Sequence, residues 1–323
     1  GYSDSQQNFS LNEKDLHAKQ LLVNPGECDA NLNAENDFSN IGNVDLDQIH
    51  VTSFIHCSDS TQKITFTGKL VQDVQATGTG VKGLIYLQNS EFECTMNSFL
   101  NCAAASREGQ ILQFDGDGSH SLSGTQFIEC GVDVRSGSSY GNPTGPSLIH
   151  CAGQSLDTFT GIKCRNNCRN IRAIATDNPK VNVSIQQSTF YNCTTNNRGG
   201  GIHILRSNDV SILDTTFQYC SDQWGSDGSN AGEGNAINYH GQNYVADENH
   251  TLNVTNCNFI DCNTPGRNAR SVILLDVGDF IFEDNFITFT DDSLVIPFLR
   301  IFRPGTYCIN RNTFKNISPV YQM

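Results

Sequence analysis

A six-residue phrase built around phenylalanine recurs along the chain and limits it to a repeat architecture. It reads Thr-Ser-Phe54-Ile-His-Cys57, Asn-Ser-Phe99-Leu-Asn-Cys102 and Thr-Gln-Phe127-Ile-Glu-Cys130. It returns as Ser-Thr-Phe190-Tyr-Asn-Cys193, Thr-Thr-Phe217-Gln-Tyr-Cys220 and Cys-Asn-Phe259-Ile-Asp-Cys262. Two late copies lack the cysteine: Asp-Asn-Phe286-Ile-Thr-Phe289 and Asn-Thr-Phe314-Lys-Asn-Ile317. Phe99 to Phe127 and Phe286 to Phe314 are 28 residues apart, while Phe190 to Phe217 and Phe259 to Phe286 are 27 apart. A fixed period of this size marks a solenoid, in which each repeat buries its apolar face only against its neighbours.

Each repeat holds three short alternating segments. The clearest runs Gly200-Gly201-Ile202-His203-Ile204, then Val210-Ser211-Ile212, then Thr216-Phe217. Period-two alternation is that of a half-buried strand, and Gly, Asn, Asp and Ser fill the turns. No helical period lies between the segments. The pattern predicts an all-β, right-handed parallel β-helix, a three-faced solenoid of roughly ten coils of about 22–28 residues. The eight phrase phenylalanines are expected to point inward and stack on one another.

Residues 1–50 read as an N-terminal cap. Ser10 and Glu13 make a capping-box pair, so Leu11 to Val23 is expected to form a short helix. Residues 51–323 read as the β-helix, interrupted by insertions at 136–146 and 222–248. Insertions in solenoids map to loops on one face, often the binding face. No capping helix is evident after the last phrase, so the C-terminal end is expected to continue or to dock, for example on another copy by self-assembly.

Charge narrows the partners. Lys plus Arg number 20 against 34 Asp plus Glu, a net charge of −14, which argues against nucleic acid. No apolar run reaches the ~18 residues of a membrane helix, so no transmembrane segment is expected. Thirteen cysteines suit an oxidising compartment, and the sequons at Asn8, Asn182, Asn192, Asn249, Asn253 and Asn316 permit glycosylation there. Both point to an extracellular or cell-surface location.

Four constellations bear on chemistry. Cys57, Cys102, Cys130, Cys193, Cys220 and Cys262 share one repeat position. A linear ladder does not converge on a point as zinc ligands must, so the expectation is a buried row of small, mostly unpaired side chains. Lys163, Arg165, Arg169 and Arg172 cluster around Cys164 and Cys168. Guanidinium forks suit acidic or sulfated glycans, and the two cysteines, lying outside the ladder, are the candidates for a local disulfide. Asp115-Gly116-Asp117-Gly118, and Asp222 with Asp227 and Glu233, offer oxygen ligands for Ca²⁺ but lack EF-hand spacing. No other cofactor is implied. In-register stacking would gather Arg206, His240, Asp276 and Arg303 on one rim, with a single carboxylate where glycoside hydrolysis needs two.

The Phe190 phrase followed by Gly200-Gly201-Ile202 resembles the polymorphic membrane protein repeats, whose mark is Phe-x-x-Asn followed by Gly-Gly-Ala/Ile. Here the third residue after Phe is usually Cys. The resemblance spans about residues 51–317 and implies surface display and adhesion, with glycans or other surface proteins as partners. At the level of fold the chain is also similar to pectin-degrading enzymes, but it has no Gly-His-Gly, the nearest phrase being Tyr239-His240-Gly241. Two functions therefore stand: a structural, adhesive or assembly role, and a polysaccharide lyase or glycoside hydrolase. A clustered carboxylate set on one face would favour the second.

Overall fold

In the computed structural model the chain is a right-handed parallel β-helix with three ten-stranded parallel sheets. The structure describes residues 35–37, 44–45, 50–51, 55–57, 63–72, 75–76, 83–104, 110–131, 147–165, 168, 171–195, 199–222, 234–239, 250–263, 271–276, 278–290, 297–302, 305–316 and 321–322. Each coil visits the sheets in the same order. In one coil these visits are Ile202–Arg206 in the first sheet, Asp209–Leu213 in the second and Thr216–Gln218 in the third. Every strand pair between coils is parallel, so each backbone group bonds to the coil above or below. The second and third sheets already include Glu35–Asp37 and Val44–Asp45. The expected cap helix at Leu11 to Val23 lies outside the described residues.

The corner between the second and third sheets sets the register. A residue in the left-handed region turns the chain there, among them Met96, Gly124, Gln187, Asp214, Asn256 and Asp284. The third residue after it points into the core. Phe99, Phe127, Phe190, Phe217 and Phe259 obey this count and are buried. Phe99 stacks on Phe127 at 5.1 Å, and Phe217 stacks on Phe259 at 5.0 Å. Gly201 is required beside this column, because a Cβ there would lie 2.9 Å from the Phe217 ring and 2.5 Å from the Ala236 carbonyl oxygen.

The same count corrects three expectations. Asp284 is the left-handed residue of its coil, so the inward position falls on Ile287, which opposes Phe259, while Phe286 opposes Asn258 and is half-buried. Ile55–Cys57 belongs to the first sheet, where Cys57 opposes Leu87, so Cys57 is not a ladder member. Phe54 lies outside the described residues. Cys164 occupies the phenylalanine column itself, opposing Phe127 below and Phe190 above. Phe314 does stand in the column, opposing Ile287, and is half-buried.

The cysteine ladder has a local cause. Cys102, Cys130, Cys193, Cys220 and Cys262 each directly follow a left-handed residue at the corner leaving the third sheet, and all are buried. Buried Cys168 stands in line with them, its carbonyl accepting from Thr194 N in the next coil, and four thiols of this row donate to the carbonyl of the column residue one coil below. They are Cys102 to Val71 at 3.4 Å, Cys130 to Phe99 at 3.3 Å, Cys168 to Phe127 at 3.8 Å and Cys220 to Phe190 at 3.3 Å. A small side chain with a weak donor fits a tight corner whose carbonyl would otherwise be buried without a partner.

In the sequence, both insertions adjoin strands of the first sheet. Residues 132–146 lead from the third sheet into Ser147–Cys151, and 223–233 and 240–249 lie on either side of Ile237–Tyr239.

Candidate functional site

The first sheet differs from the other two in its outer face. Strands of the second sheet alternate buried and accessible residues, as in Thr251–Thr255, whereas Ser147–Cys151 is buried throughout. Its inward residues are aliphatic, such as Ile85, Leu112, Ile149, Ile174 and Ile202. Its outward row reads Tyr86, Gln113, His150, Ala175, His203 and Asn238, all buried. Burying polar groups costs free energy unless they are hydrogen-bonded, and nothing in the solenoid core requires them on this side.

A second row runs along the strand ends. It contains Gln88 and Asp115, which oppose each other, then Ala152 after Cys151, then Asp177 opposite Arg206, and Asp276 after Leu275. The two rows are bonded together. Tyr86 Oη donates to Asp115 Oδ2 at 3.2 Å, and Gln113 Nε2 donates to Asp115 Oδ1. The Gln113 amide oxygen then faces His150 Nδ1 at 2.7 Å. Since that oxygen only accepts, Nδ1 carries the proton and Nε2 is the basic nitrogen. Across Ala152, Arg206 donates to Asp177 Oδ1 from Nε at 2.9 Å and from Nη2 at 2.7 Å. Burial nevertheless raises the Asp177 carboxyl above its ordinary pKa, against the pull of Arg206 and with a further push from Asp115. The row therefore places Asp115 and Asp177 on one face, with the small side chain of Ala152 on the rung between them.

This arrangement revises the sequence-based rim. Arg206 and Asp276 do lie in the row, while His240 and Arg303 lie outside the described residues. The rim holds further carboxylates, because Asp115 and Asp177 share it, two rungs apart. Asp115 was assigned by sequence to a possible Ca²⁺ loop with Asp117, and Asp177 was not singled out. Register alone could have found them: each directly follows a strand residue in the inward row, Phe114 and Thr176.

The basic cluster is split. Lys163 and Arg165 flank inward Cys164 on the outer face of the third sheet, and Arg165 is exposed. Arg172 is fully buried at the start of Arg172–Asp177 in the first sheet, opposite Ser147. The chain crosses from the third sheet to the first between them. Arg169 lies outside the described residues. Cys164 and Cys168 are free thiols, and both stand in inward rows rather than outside them. Of the sequons, Asn182 and Asn253 lie half-buried on the outer face of the second sheet, and Asn192 and Asn316 are left-handed turn residues. Asn8 and Asn249 lie outside the described residues, as do Asp227 and Glu233. Among the described residues no three His, Cys, Asp or Glu side chains are grouped to hold a metal ion, and no helix is long and apolar enough to cross a membrane.

Sequence reasoning missed a polar cluster inside the core. The inward row of the second sheet reads Phe92, His120, Asp157 and Val183 on successive coils. His120 Nδ1 lies 2.6 Å from Asp157 Oδ1, and Ser155 Oγ donates to Asp157 Oδ2 at 2.9 Å. The imidazole stacks on Phe114 at 4.1 Å, and its Nε2 is buried without a hydrogen-bond partner. Burial, then the Asp157 charge, hold the nearby Cys151 thiol well above its usual pKa. The site is enclosed and has no outer face, so its role is architectural: a hydrogen bond between adjacent coils that an apolar pair in another register would lack.

Comparison with known proteins gives no matching family model, no similar curated protein and no similar solved structure.

Proposed function

We propose that the protein is a secreted or cell-surface β-helix that binds glycans through the outer face of its first sheet, in an adhesive role. The observation that carries this reading is the accessible rim of half-buried Asp115 and Asp177 with exposed Arg206, held from beneath by the buried row Tyr86–Gln113–His150 on a rigid sheet. Fixed acceptors and donors in register suit the hydroxyls of a saccharide chain. Two carboxylates at the site and a net charge of −14 disfavour a polyanion, so the ligand class is neutral or amino sugar rather than sulfated or uronic glycan. Thirteen cysteines, the sequons and the resemblance to surface repeats support the location. A glycan array carrying neutral, amino, uronic and sulfated oligosaccharides tests the reading. Retention of neutral or amino sugars, lost in Asp115→Ala, is expected. Retention of sulfated glycans alone, lost in Lys163→Ala/Arg165→Ala, would overturn it.

One observation favours a glycoside hydrolase as the second reading. Asp115 and Asp177 are two rungs apart, about 9–10 Å along the stacking axis. Carboxyl pairs at ~6.5–9.5 Å serve inverting hydrolysis, and the raised pKa of Asp177 is the property of a general acid. Reducing-end release from an array-positive oligosaccharide, abolished in Asp177→Asn with binding kept, would establish this reading. Binding without release would leave the adhesive one.

A further inference from the structure

The rim occupies one face of the solenoid, and the outer face of the second sheet carries a different surface. Five consecutive strands there, Asp117–Ser123, Gln154–Thr160, Asn182–Gln186, Asp209–Leu213 and Thr251–Thr255, stack without a shift of register. Alternation sends every second residue outward, and the register lines these up in rows along the axis. The middle row reads Ser121, Thr158, Ser184, Ser211 and Asn253, all exposed or half-buried. The row beside it runs Thr67, Thr95, Ser123 and Thr160 before Gln186, and the row on the other side starts at Ser119. Across the five strands these three rows hold one charged side chain, Asp209. The adjoining coils differ. Lys63, Glu91 and Glu93 face outward below, with Lys63 Nζ 2.9 Å from Glu93 Oε2, and Asp279 and Glu283 face outward above.

This grid of hydroxyls and carboxamides is nearly uncharged in a chain of net charge −14, which suits a partner that is itself uncharged. Its spacing is regular, ~4.8 Å along each row and ~6.6 Å between rows. Hydroxyls and carboxamides both donate and accept, so they match another hydroxyl surface whichever way its hydrogens point. Gln186 Nε2 donates to Ser184 Oγ at 3.2 Å and Thr255 Oγ1 donates to Asn253 Oδ1 at 2.8 Å, which orients the longer side chains. Leu156, 59% exposed in the row that starts at Ser119, adds an apolar contact for the C–H groups of a sugar ring. We propose that the outer face of the second sheet binds the surface of an insoluble, uncharged polysaccharide, whose chains pack side by side as a periodic array of hydroxyls. This site is separate from the first-sheet rim and does not depend on it. Each hydroxyl contact replaces one with water and contributes little alone. Retention therefore comes from many contacts formed together by a rigid face on a rigid surface, and a single soluble oligosaccharide makes too few of them.

Co-sedimentation of the full chain with microcrystalline chitin and with microcrystalline cellulose tests this. The chain is produced in a bacterial host, which leaves the sequon residues Asn182 and Asn253 of the grid without glycans. Thr158→Lys with Ser184→Glu places an ion pair across the grid, as Lys63 and Glu93 do below it, and keeps the net charge. Thr158→Ser with Ser184→Thr keeps both hydroxyls. The natural chain, the hydroxyl-keeping variant and Asp115→Asn should be retained on at least one of the two solids. The ion-pair variant should show an unchanged far-UV spectrum and a retained fraction lower by about tenfold, because its charges lose water against a neutral surface. Ser211→Lys, one rung on, should act in the same direction. Three results would overturn the proposal: no retention on either solid, retention that survives these charges, or retention lost in Asp115→Asn, which would assign the solids to the rim. Enrichment in a growing ice front without retention on polysaccharide would also overturn it, as would N-glycans on Asn182 or Asn253 of the natural protein.

Discussion

Exchanging alanine into two adjacent residues of one coil tests the register directly. Ile287 is fully buried in the column, opposite Phe259 and Phe314, while Phe286 beside it is half-buried on the outer face, opposite Asn258. Ile287→Ala removes three buried carbons and leaves a cavity between two aromatic neighbours that stacked coils cannot easily collapse, so it should cost about 2–5 kcal/mol. Phe286→Ala removes a larger side chain but only cross-strand contacts on an accessible face, worth about 1 kcal/mol or less. The smaller deletion should therefore do several times the damage of the larger. Urea unfolding followed by far-UV circular dichroism gives the two midpoints. Hydrogen exchange at Asn258–Ile260 and Phe286–Thr288 localises the loss, which matters because solenoids can open in segments. An equal or larger cost for Phe286→Ala would refute the left-handed-residue count and return Phe286 to the core.

Three further outcomes are expected. His120→Phe alone should destabilise by about 3–5 kcal/mol, because it strands the Asp157 carboxylate, whereas His120→Phe with Asp157→Val should recover most of the loss; additive costs in that double-mutant cycle would contradict the pairing. The raised Asp177 pKa gives native-state stability that is fully present below the ordinary carboxylate value of 3.8 and is lost as pH rises through the raised value. Melting temperature should accordingly decline less over that window in Asp177→Asn than in the natural chain, and a steeper decline in the variant would reverse the sign. Gly201→Ala should cost about 1–3 kcal/mol by overpacking against the Phe217 ring and the Ala236 carbonyl, read from the same urea midpoints, and a neutral result would mean that the coil gives way there.

Much of the fold was legible because stacking repeats its signal. Phe99, Phe127, Phe190, Phe217 and Phe259 return at near-constant intervals, since each coil must present one large apolar side chain at the same place. The aromatic residue itself does not carry the register. Phe286 looks like a ladder member, but register is set at the backbone corner, by the left-handed residue that precedes the strand. Gly, Asn, Asp, Gln, Met and Arg all occupy that corner, so composition does not mark it. Cys164 and Cys168 fall out of the count for the same reason, because the insertion at 136–146 breaks the period that would have put them in line. The site was legible only in part. Arg206 and Asp276 were gathered by stacking first-sheet strands in register, whereas Asp177 is joined to Arg206 through a register shift between Thr176 and Asp177 that no periodicity reveals. The His120–Asp157 pair was hidden in an alternating strand where a histidine and an aspartate read as polar, outward positions until the next coil pairs them.

In the proposed function the first-sheet face, and not the basic strand of the third sheet, takes the ligand. Isothermal titration of one neutral oligosaccharide against three forms of the full chain tests it most directly: the natural sequence, Asp115→Asn, and Lys163→Ala with Arg165→Ala. Asp115 accepts from Tyr86 and Gln113 and holds the row in place. Losing a charged hydrogen-bonding group there should weaken binding by about 1.5–3 kcal/mol, roughly ten- to a hundredfold in Kd. The double variant should bind within about twofold of the natural chain, since exposed charges on a different sheet add little to a neutral ligand. Unchanged affinity in Asp115→Asn together with a tenfold loss in the double variant would contradict the account.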